Sequence, residues 1–353
     1  MTIPAQGYAA TSATSALAPF TFERRDPLAR DVVIDILYCG VCHSDIHTAR
    51  GEWNGVQHPV VPGHEIVGRV ASTGNKVSKF KVGDLVGVGC MVDSCRDCSS
   101  CNEGLEQYCD NGFTGTYNGN DKIGGTSHKK TLGGYSDKIT VEERFVLRMP
   151  TNLNPAAAAP LLCAGITTYS PLKNWNVGAG QKVGIIGLGG LGHMGVKFAH
   201  AMGANVVMIT TTPEKGNDAK KLGANEVLFS TDANAMTSAQ NTFDFLLNTI
   251  PVGHDVEPYM KLLKRDGTMV VVGAVEALKN VSGIPLILRR RSLTGSLIGG
   301  IPETQEMLDF CGTHNITCDI EMVNIKDINN AYDRTVKGDV KYRFVIDMAT
   351  LKS

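Results

Sequence analysis

Residues 182–202 read KVGIIGLGGLGHMGVKFAHAM, and the rest of the chain is best read outward from them. Lys182–Ile186 is an apolar run of the length of a buried strand. Gly187, Leu188, Gly189, Gly190, Leu191 and Gly192 follow in the pattern G-x-G-x-x-G, and Leu191–Met202 reads as a helix. A glycine loop between strand and helix is the signature of a dinucleotide phosphate site. Gly187 permits the tight turn, Gly189 lets the backbone approach a pyrophosphate, and Gly192 lets helix and strand pack closely. The helix N-terminus adds amide donors and a partial positive charge.

Downstream the rhythm repeats. Asn205–Ile209 reads as a strand, Glu214–Leu222 as a helix and Glu226–Phe229 as a strand, with Phe243–Asn248 and Thr268–Val272 continuing the series and Val256–Lys264 between them. Such alternation predicts an α/β, doubly wound parallel sheet of Rossmann type. An NAD site places an acid at the end of the second strand. Here that position reads Ile209, Thr210, Thr211, Thr212, Pro213, Glu214, Lys215. Three hydroxyls and Lys215 suit a 2′-phosphate, so the expected cofactor is NADP(H). Glu214 falls in the first helical turn after Pro213, where acids are favoured anyway. The competing reading of Thr210, Thr211 and Thr212 is that of β-branched residues closing a strand.

Upstream, residues to about 150 form short β segments such as Asp31–Tyr38, Val67–Ala71 and Leu85–Gly89, broken by Gly, Pro, Asn and Asp. They predict a β-rich, barrel-like module with long loops. After residue 298 an amphipathic helix, Glu303–Cys311, leads to the strand-like Tyr342–Ile346, which can return to the first module. The expected domains are therefore 1–154 with 299–353, and 155–298. A chain of 353 residues accommodates two domains.

A net charge of −1 gives no basic excess for nucleic acid or an anionic membrane. The opening MTIPAQGYAATSATSALAPF reads as neither signal nor transit peptide, and no run is apolar enough to span a bilayer. The expected location is the cytoplasm. Ten cysteines there point to metal ligation or catalysis rather than disulfides.

Four of them, Cys95, Cys98, Cys101 and Cys109, are spaced C-x2-C-x2-C-x7-C in a polar loop with little to bury. Tetrahedral structural zinc needs such convergence; an iron–sulfur cluster is the competing use of four thiolates. A second set is scattered. GVCHSDIH supplies Cys42, PGHEIVG supplies His64 and Glu65, and LLCAGITTY supplies Cys163 at the start of the second half. Singly, each is an ordinary core residue. Jointly, drawn from the two expected domains, they would place a catalytic metal in the cleft between those domains, with the bound nicotinamide facing it. Cys39 and Cys42 mimic a redox CxxC without a thioredoxin-like unit around them. Cys90, on an apolar segment, reads as a buried thiol.

The motifs CGVCHSDIH, PGHEIVG, the four-cysteine lobe, LLCAGITTY, GLGGLGHMG and KYRFVID resemble the medium-chain zinc alcohol dehydrogenases. More narrowly, they resemble the cinnamyl-alcohol-dehydrogenase branch with its broad aldehyde reductases. The likeness runs from about residue 30 to 349. It implies a GroES-like catalytic domain carrying two Zn2+, a Rossmann domain and a homodimer. It implies catalytic zinc on Cys42, His64 and Cys163 with Glu65 as exchangeable ligand, structural zinc on the four-cysteine lobe, and Asp45 holding a zinc-bound histidine.

Ser44 and His47 would form the proton relay, with His43 and Arg343 near the pyrophosphate and Thr167 beside the nicotinamide. Thr249, Gly273, Ser296, Leu297 and Ile298 complete the expected cofactor surround. Gly115 and Thr116 precede Tyr117-Asn118 where the plant enzymes typically carry a bulky aromatic, and Leu297 likewise replaces an aromatic. Both suit a wide pocket for small-molecule aldehydes and alcohols. The competing functions are a polyol or secondary-alcohol dehydrogenase, against which Cys163 speaks, and a catalytically silent NADP(H)- and zinc-binding protein.

Overall fold

A computed structural model describes residues 2–126, 128–273 and 276–352. The chain divides into two compact units, Met1–Cys163 with Gly299–Ser353, and Ala164–Ile298. In the first unit β1 (Thr2–Ala9) and β2 (Ala18–Arg25) form an antiparallel hairpin. There follow β3 (Asp31–Gly40), β4 (Ile66–Thr73), β5 (Leu85–Val88), β6 (Met91–Asp93), β7 (Thr114–Gly115), β8 (Lys138–Glu142) and β9 (Leu147–Arg148). The second unit holds β10 (Lys182–Ile186), β11 (Asn205–Thr210), β12 (Glu226–Phe229), β13 (Phe243–Asn248), β14 (Leu263–Val271) and β15 (Ser292–Gly295). The chain then returns to the first unit with β16 (Ile320–Asn324) and β17 (Arg343–Asp347).

The first unit is built on a seven-stranded sheet, ordered β16-β17-β3-β4-β5-β9, with β8 also on β3. β3 supplies the centre because Val32, Ile34 and Ile36 are buried while Asp35 is exposed. Two register shifts in the β3–β4 pair, at Val33/Ile34 and Ile36/Tyr38, interrupt the regular ladder, as bulges do where a sheet must bend. Helices are few before residue 150: among the described residues there, His43–Ala49 and the single turn Ser99–Asn102 are the α-helices.

The second unit's sheet is wholly parallel and ordered β12-β11-β10-β13-β14-β15. Counted within the unit, that is 3-2-1-4-5-6, the Rossmann order. β10 is the central strand: Val183, Ile185 and Ile186 are all buried, as expected where helices cover both faces. Val207, Ile209, Leu246 and Met269 join Ile186 in one core cluster. Between β13 and β14 the segment Val256–Lys264 carries a single helical turn, Glu257–Met260, and its last two residues already belong to β14. Asp266 and Gly267 do not prevent β14 from starting at Leu263, because Leu263 pairs with Phe243 before the register shifts. The charged Lys264-Arg265-Asp266 stretch thus lies in a strand and hid its true start.

Candidate functional site

Antiparallel pairing of β3 with β4 matches Cys39 with Ile66, and Gly40 N donates to Glu65 O at 3.0 Å. The pairing therefore brings the residues just after β3 beside those just before β4. Gly40 is required for space: a Cβ there would stand 1.9 Å from Glu65 Oε2. β17 adds Arg343, since Val41 N donates to Phe344 O at 2.9 Å. Cys163 follows the 3-10 turn Ala159–Leu162, which approaches β5 closely; a Cβ on Gly89 would meet Leu162 O at 2.9 Å. Ligand atoms of Cys42, His64, Glu65 and Cys163 consequently all lie within 4.8 Å of one another, and all four residues are buried. Cys163 belongs to the first unit, not to the half expected to begin at residue 155, so this set is assembled within one unit and not drawn from two.

Cys42 caps the helix His43–Ala49, and Asp45 one turn on closes the cap: its Oδ2 accepts from Cys42 N at 2.8 Å. Asp45 is fully buried and also accepts from Gly63 N at 3.0 Å and from the Tyr135 hydroxyl at 3.3 Å. Its Oδ1 lies 3.2 Å from His64 Nδ1. That contact leaves Nε2 of His64 as the free lone pair, and Nε2 is buried with no hydrogen-bond partner. Both Glu65 carboxylate oxygens also lack hydrogen bonds, although Arg343 Nη2 is 2.9 Å from Oε1 as an ion pair. Burial pushes the Glu65 carboxyl up to about 8, the Arg343 charge opposing it.

The two thiols behave as one acid. Cys42 Sγ lies 3.9 Å from Cys163 Sγ. The hydrogen bond from Cys163 pulls the Cys42 thiol well below its usual range, with the Arg343 charge assisting, while the same contact drives Cys163 up. Buried thiolate, imidazole lone pair and carboxylate together form a borderline-soft donor set, which fits zinc.

The resemblance implied that Arg343 lies near a pyrophosphate. In the structure it is buried, 2.9 Å from Glu65 and 3.6 Å from Cys42 Sγ. Cys90 is half-buried, and its thiol lies 3.8 Å from Leu162 O at the edge of this cluster. Cys39 is buried and stands outside the four-residue set.

Ser44 Oγ is 3.5 Å from Cys42 Sγ, and His47 lies one turn further along the same helix, partly exposed. His47 Nδ1 pairs with the Glu52 carboxylate, and its ring stacks on Trp53 at 5.6 Å. The His43 ring is 6.3 Å from that of His47, and burial lowers its pKa. Tyr117 packs against His64 with ring centroids 5.4 Å apart. Sequence reasoning missed Glu52, Trp53, Tyr117 and Tyr135. The spacing of His47, Glu52 and Trp53 in IHTARGEW was the one local signal; Tyr135 is 90 residues from Asp45 and gave none.

In the polar lobe, ligand atoms of Cys95, Cys98, Cys101 and Cys109 also lie within 4.8 Å of one another. Backbone N–H groups point at the sulfurs: Cys98 N to Cys95 at 3.4 Å, Cys95 N to Cys109 at 3.4 Å and Asp110 N to Cys98 at 3.5 Å. Amides from Asp97 and Cys98 bring the Cys95 thiol down to about 6. Four converging thiolates fit structural zinc.

In the second unit the turn after β10 has the geometry a pyrophosphate needs. Gly187 has φ +90°, and a Cβ on Gly192 would stand 1.9 Å from Gly187 O. A Cβ on Gly189 would meet nothing within 4 Å, so the cradle beside it is open. Gly190 and Leu191 complete the turn, Leu191 capping the helix Gly192–Ala201, and Leu188 is buried. The Thr249 hydroxyl donates to Ile186 O at 2.8 Å, and Gly273 packs on Thr249, where a Cβ would stand 2.4 Å from its carbonyl oxygen. Of the three threonines, Thr210 is buried in β11, whereas Thr211, Thr212 and Lys215 are exposed. Thr212 caps the helix Pro213–Lys221 without using its hydroxyl. Thr167 is buried in the helix Ala164–Asn174; after β15, Ser296 is half-buried, Leu297 exposed and Ile298 buried at φ +34°.

Residues 29–151 match the alcohol dehydrogenase GroES-like domain, and residues 190–313 match the zinc-binding dehydrogenase family. The chain belongs to the zinc-binding alcohol dehydrogenases, a family of oxidoreductases, in the branch that includes cinnamyl alcohol dehydrogenases. It is 56% identical over 346 residues, 97% of each chain, to aldehyde reductase YahK of Escherichia coli. It is 52% identical over 347 residues, 98% of each chain, to NADP-dependent alcohol dehydrogenase C 1 of Mycolicibacterium smegmatis. Among solved structures it superposes on a cinnamyl alcohol dehydrogenase from Helicobacter pylori complexed with NADP(H), with TM-score 0.92, 43% identity and 99% of each chain covered.

Proposed function

We propose that this protein is a zinc-dependent, NADP(H)-linked oxidoreductase that interconverts primary alcohols and aldehydes, aliphatic and aromatic, and works physiologically as an aldehyde reductase. The observation that carries the reading is the buried convergence of Cys42, His64, Glu65 and Cys163 with an unpartnered His64 Nε2. Cys42, His64 and Cys163 would hold a catalytic zinc with Glu65 as exchangeable ligand; Cys95, Cys98, Cys101 and Cys109 would hold a structural one. Zinc supplies Lewis-acid polarisation of a carbonyl, and NADPH supplies the hydride.

The chain's own groups do the rest. Asp45 orients His64 through Nδ1 and fixes the Cys42 backbone at the same time. Ser44 would pass a proton to the substrate oxygen, and His47, at i+3 on the same helix, would exchange it with solvent through the cofactor ribose. Glu52 accepts the proton-bearing Nδ1 of His47 and so sets its tautomer. The turn Gly187–Gly192 would cradle the pyrophosphate. The exposed Thr211, Thr212 and Lys215 favour a 2′-phosphate over a bare ribose hydroxyl. The unit Ala164–Ile298 is the cofactor-binding half and the remainder the catalytic half. A thiol at Cys163 within the donor set favours this reading over a polyol dehydrogenase.

The test is NADPH oxidation with a panel of aldehydes, repeated with NADH, on protein of measured zinc content. Brisk turnover of several aldehydes, much slower with NADH, is expected at two zincs per chain. No turnover at one zinc per chain would establish a silent binder instead.

Among the described residues no helix is long and apolar enough to cross a membrane. None of the ten cysteines is in a disulfide, which suits the reducing cytoplasm; fractionation of source cells checks this. Val281, Ile284, Ile287 and Leu288 are 53–76% exposed and adjoin β15, the last strand of its sheet. An apolar patch beside an open strand edge supports association as a homodimer.

A further inference from the structure

β13 ends at Asn248, whose side chain is fully buried. Its Oδ1 accepts from Ile250 N at 3.2 Å, which fixes the amide so that Nδ2 is the group 2.9 Å from His254 Nε2. Nδ1 of the same imidazole lies 2.7 Å from Val252 O. A carbonyl oxygen can only accept, so Nδ1 carries the proton and Nε2 accepts from Asn248. The ring therefore closes residues 248–254 into a clasp, one nitrogen on the strand end and the other on the loop. Gly253 N on the Glu276 carboxylate and Lys279 N on His254 O tie the far side of the loop.

The near side of that loop is the wall of the glycine turn. The Thr249 hydroxyl donates to Ile186 O at 2.8 Å and Gly187 O at 3.0 Å. A Cβ on Gly187 would stand 3.1 Å from Ile250 Cγ1. These residues sit at the carboxyl ends of β10 and β13, neighbours in the sheet at which the strand order reverses. Dinucleotides bind at such a switch point.

We propose that His254 is a positioning residue for the dinucleotide: by bridging Asn248 and Val252 it holds Thr249 and Ile250 against the Gly187 turn, and so shapes the wall on which NADP(H) lies. His254 touches no reacting atom, so its effect falls on cofactor affinity and not on the chemical step. The inference rests on the NADP(H) reading of the turn Gly187–Gly192.

The experiment is a fluorescence titration of the zinc-loaded, full-length protein with NADPH, paired with steady-state kinetics. His254→Phe keeps a ring against Tyr259, 6.1 Å away between centroids, but loses both hydrogen bonds. Loss of the clasp is expected to weaken NADPH binding about tenfold, the scale of one or two lost hydrogen bonds. KM for NADPH should rise in parallel, with kcat and the aldehyde KM unchanged. His254→Gln, whose Oε1 can accept from Asn248, should regain most of the affinity. Should His254→Phe fail to fold, His254→Gln and Asn248→Ser carry the comparison, Asn248→Ser being the weaker binder. Equal NADPH affinity in wild type and the clasp-breaking variants, or a fall in kcat with affinity intact, overturns the clasp alone. A wild type that binds no NADPH overturns the cofactor reading and the clasp with it.

Discussion

At the scale of single residues, the buried donor set is governed by proton competition. Glu65 is pushed up to about 8 because burial disfavours its charge more than Arg343 restores it. A metal ligated by Glu65 would therefore have to displace a proton from it at any pH below that value. Zinc affinity of the buried site in stripped protein should rise with pH through about 8, read by competition with a chelator. In Glu65→Gln that part of the pH dependence should vanish; an unchanged slope would exclude Glu65 as the titrating group. Gly40 belongs to the same scale: the carboxylate occupies the space where any other residue would carry its Cβ. Cys42, His64 and Cys163 were legible in the sequence only jointly, and Ser44 and Asp45 only through the family resemblance that their motifs carry. Tyr135 and the burial of Arg343 were not, since hydrogen bonds and ion pairs across 90 to 300 residues leave no local periodicity.

At the scale of elements, the two metal sites differ in what surrounds them. The lobe Cys95–Cys109 offers its backbone little but sulfur to fold around, and none of Cys95, Cys98 and Cys101 is buried. The buried set rests on β3, β4 and β17, which pack without it. Cys98→Ala should therefore lower the melting temperature by roughly 10 °C or more, since structural zinc contributes folding free energy directly. Cys163→Ala should fold with near wild-type stability and lose turnover by about a thousandfold or more, through loss of a metal ligand. Thermal melts and kcat on both variants check the contrast, and a Cys163→Ala variant that kept most activity would sink the assignment of the catalytic zinc. β10 and the helix after it were read to within a residue or so, since glycine punctuation and an apolar run agree there. β14 was not, because a strand carrying Lys264, Arg265 and Asp266 contradicts its own propensity and is held by pairing with β13.

At the scale of the molecule, association is the property left to measure. Light scattering is expected to give twice the 37.8 kDa of one chain. Replacing Ile287 and Leu288, 76% and 75% exposed, with Lys should shift the mass to that of the monomer. A wild type that scatters as a monomer would remove the homodimer proposal.

What the sequence determined by itself was the class: a parallel sheet with a G-x-G-x-x-G turn, and a four-cysteine lobe of metal-binding spacing. Those properties are written in short-range spacing, where the identity of neighbours suffices to state the chemistry. The tertiary structure alone decided which unit owns Cys163, which groups share protons in the buried set, where Arg343 points and how His254 closes its loop. Each depends on which distant backbones lie a few ångströms apart. That is set by strand register and by the space glycines leave, quantities that no local pattern of side chains encodes.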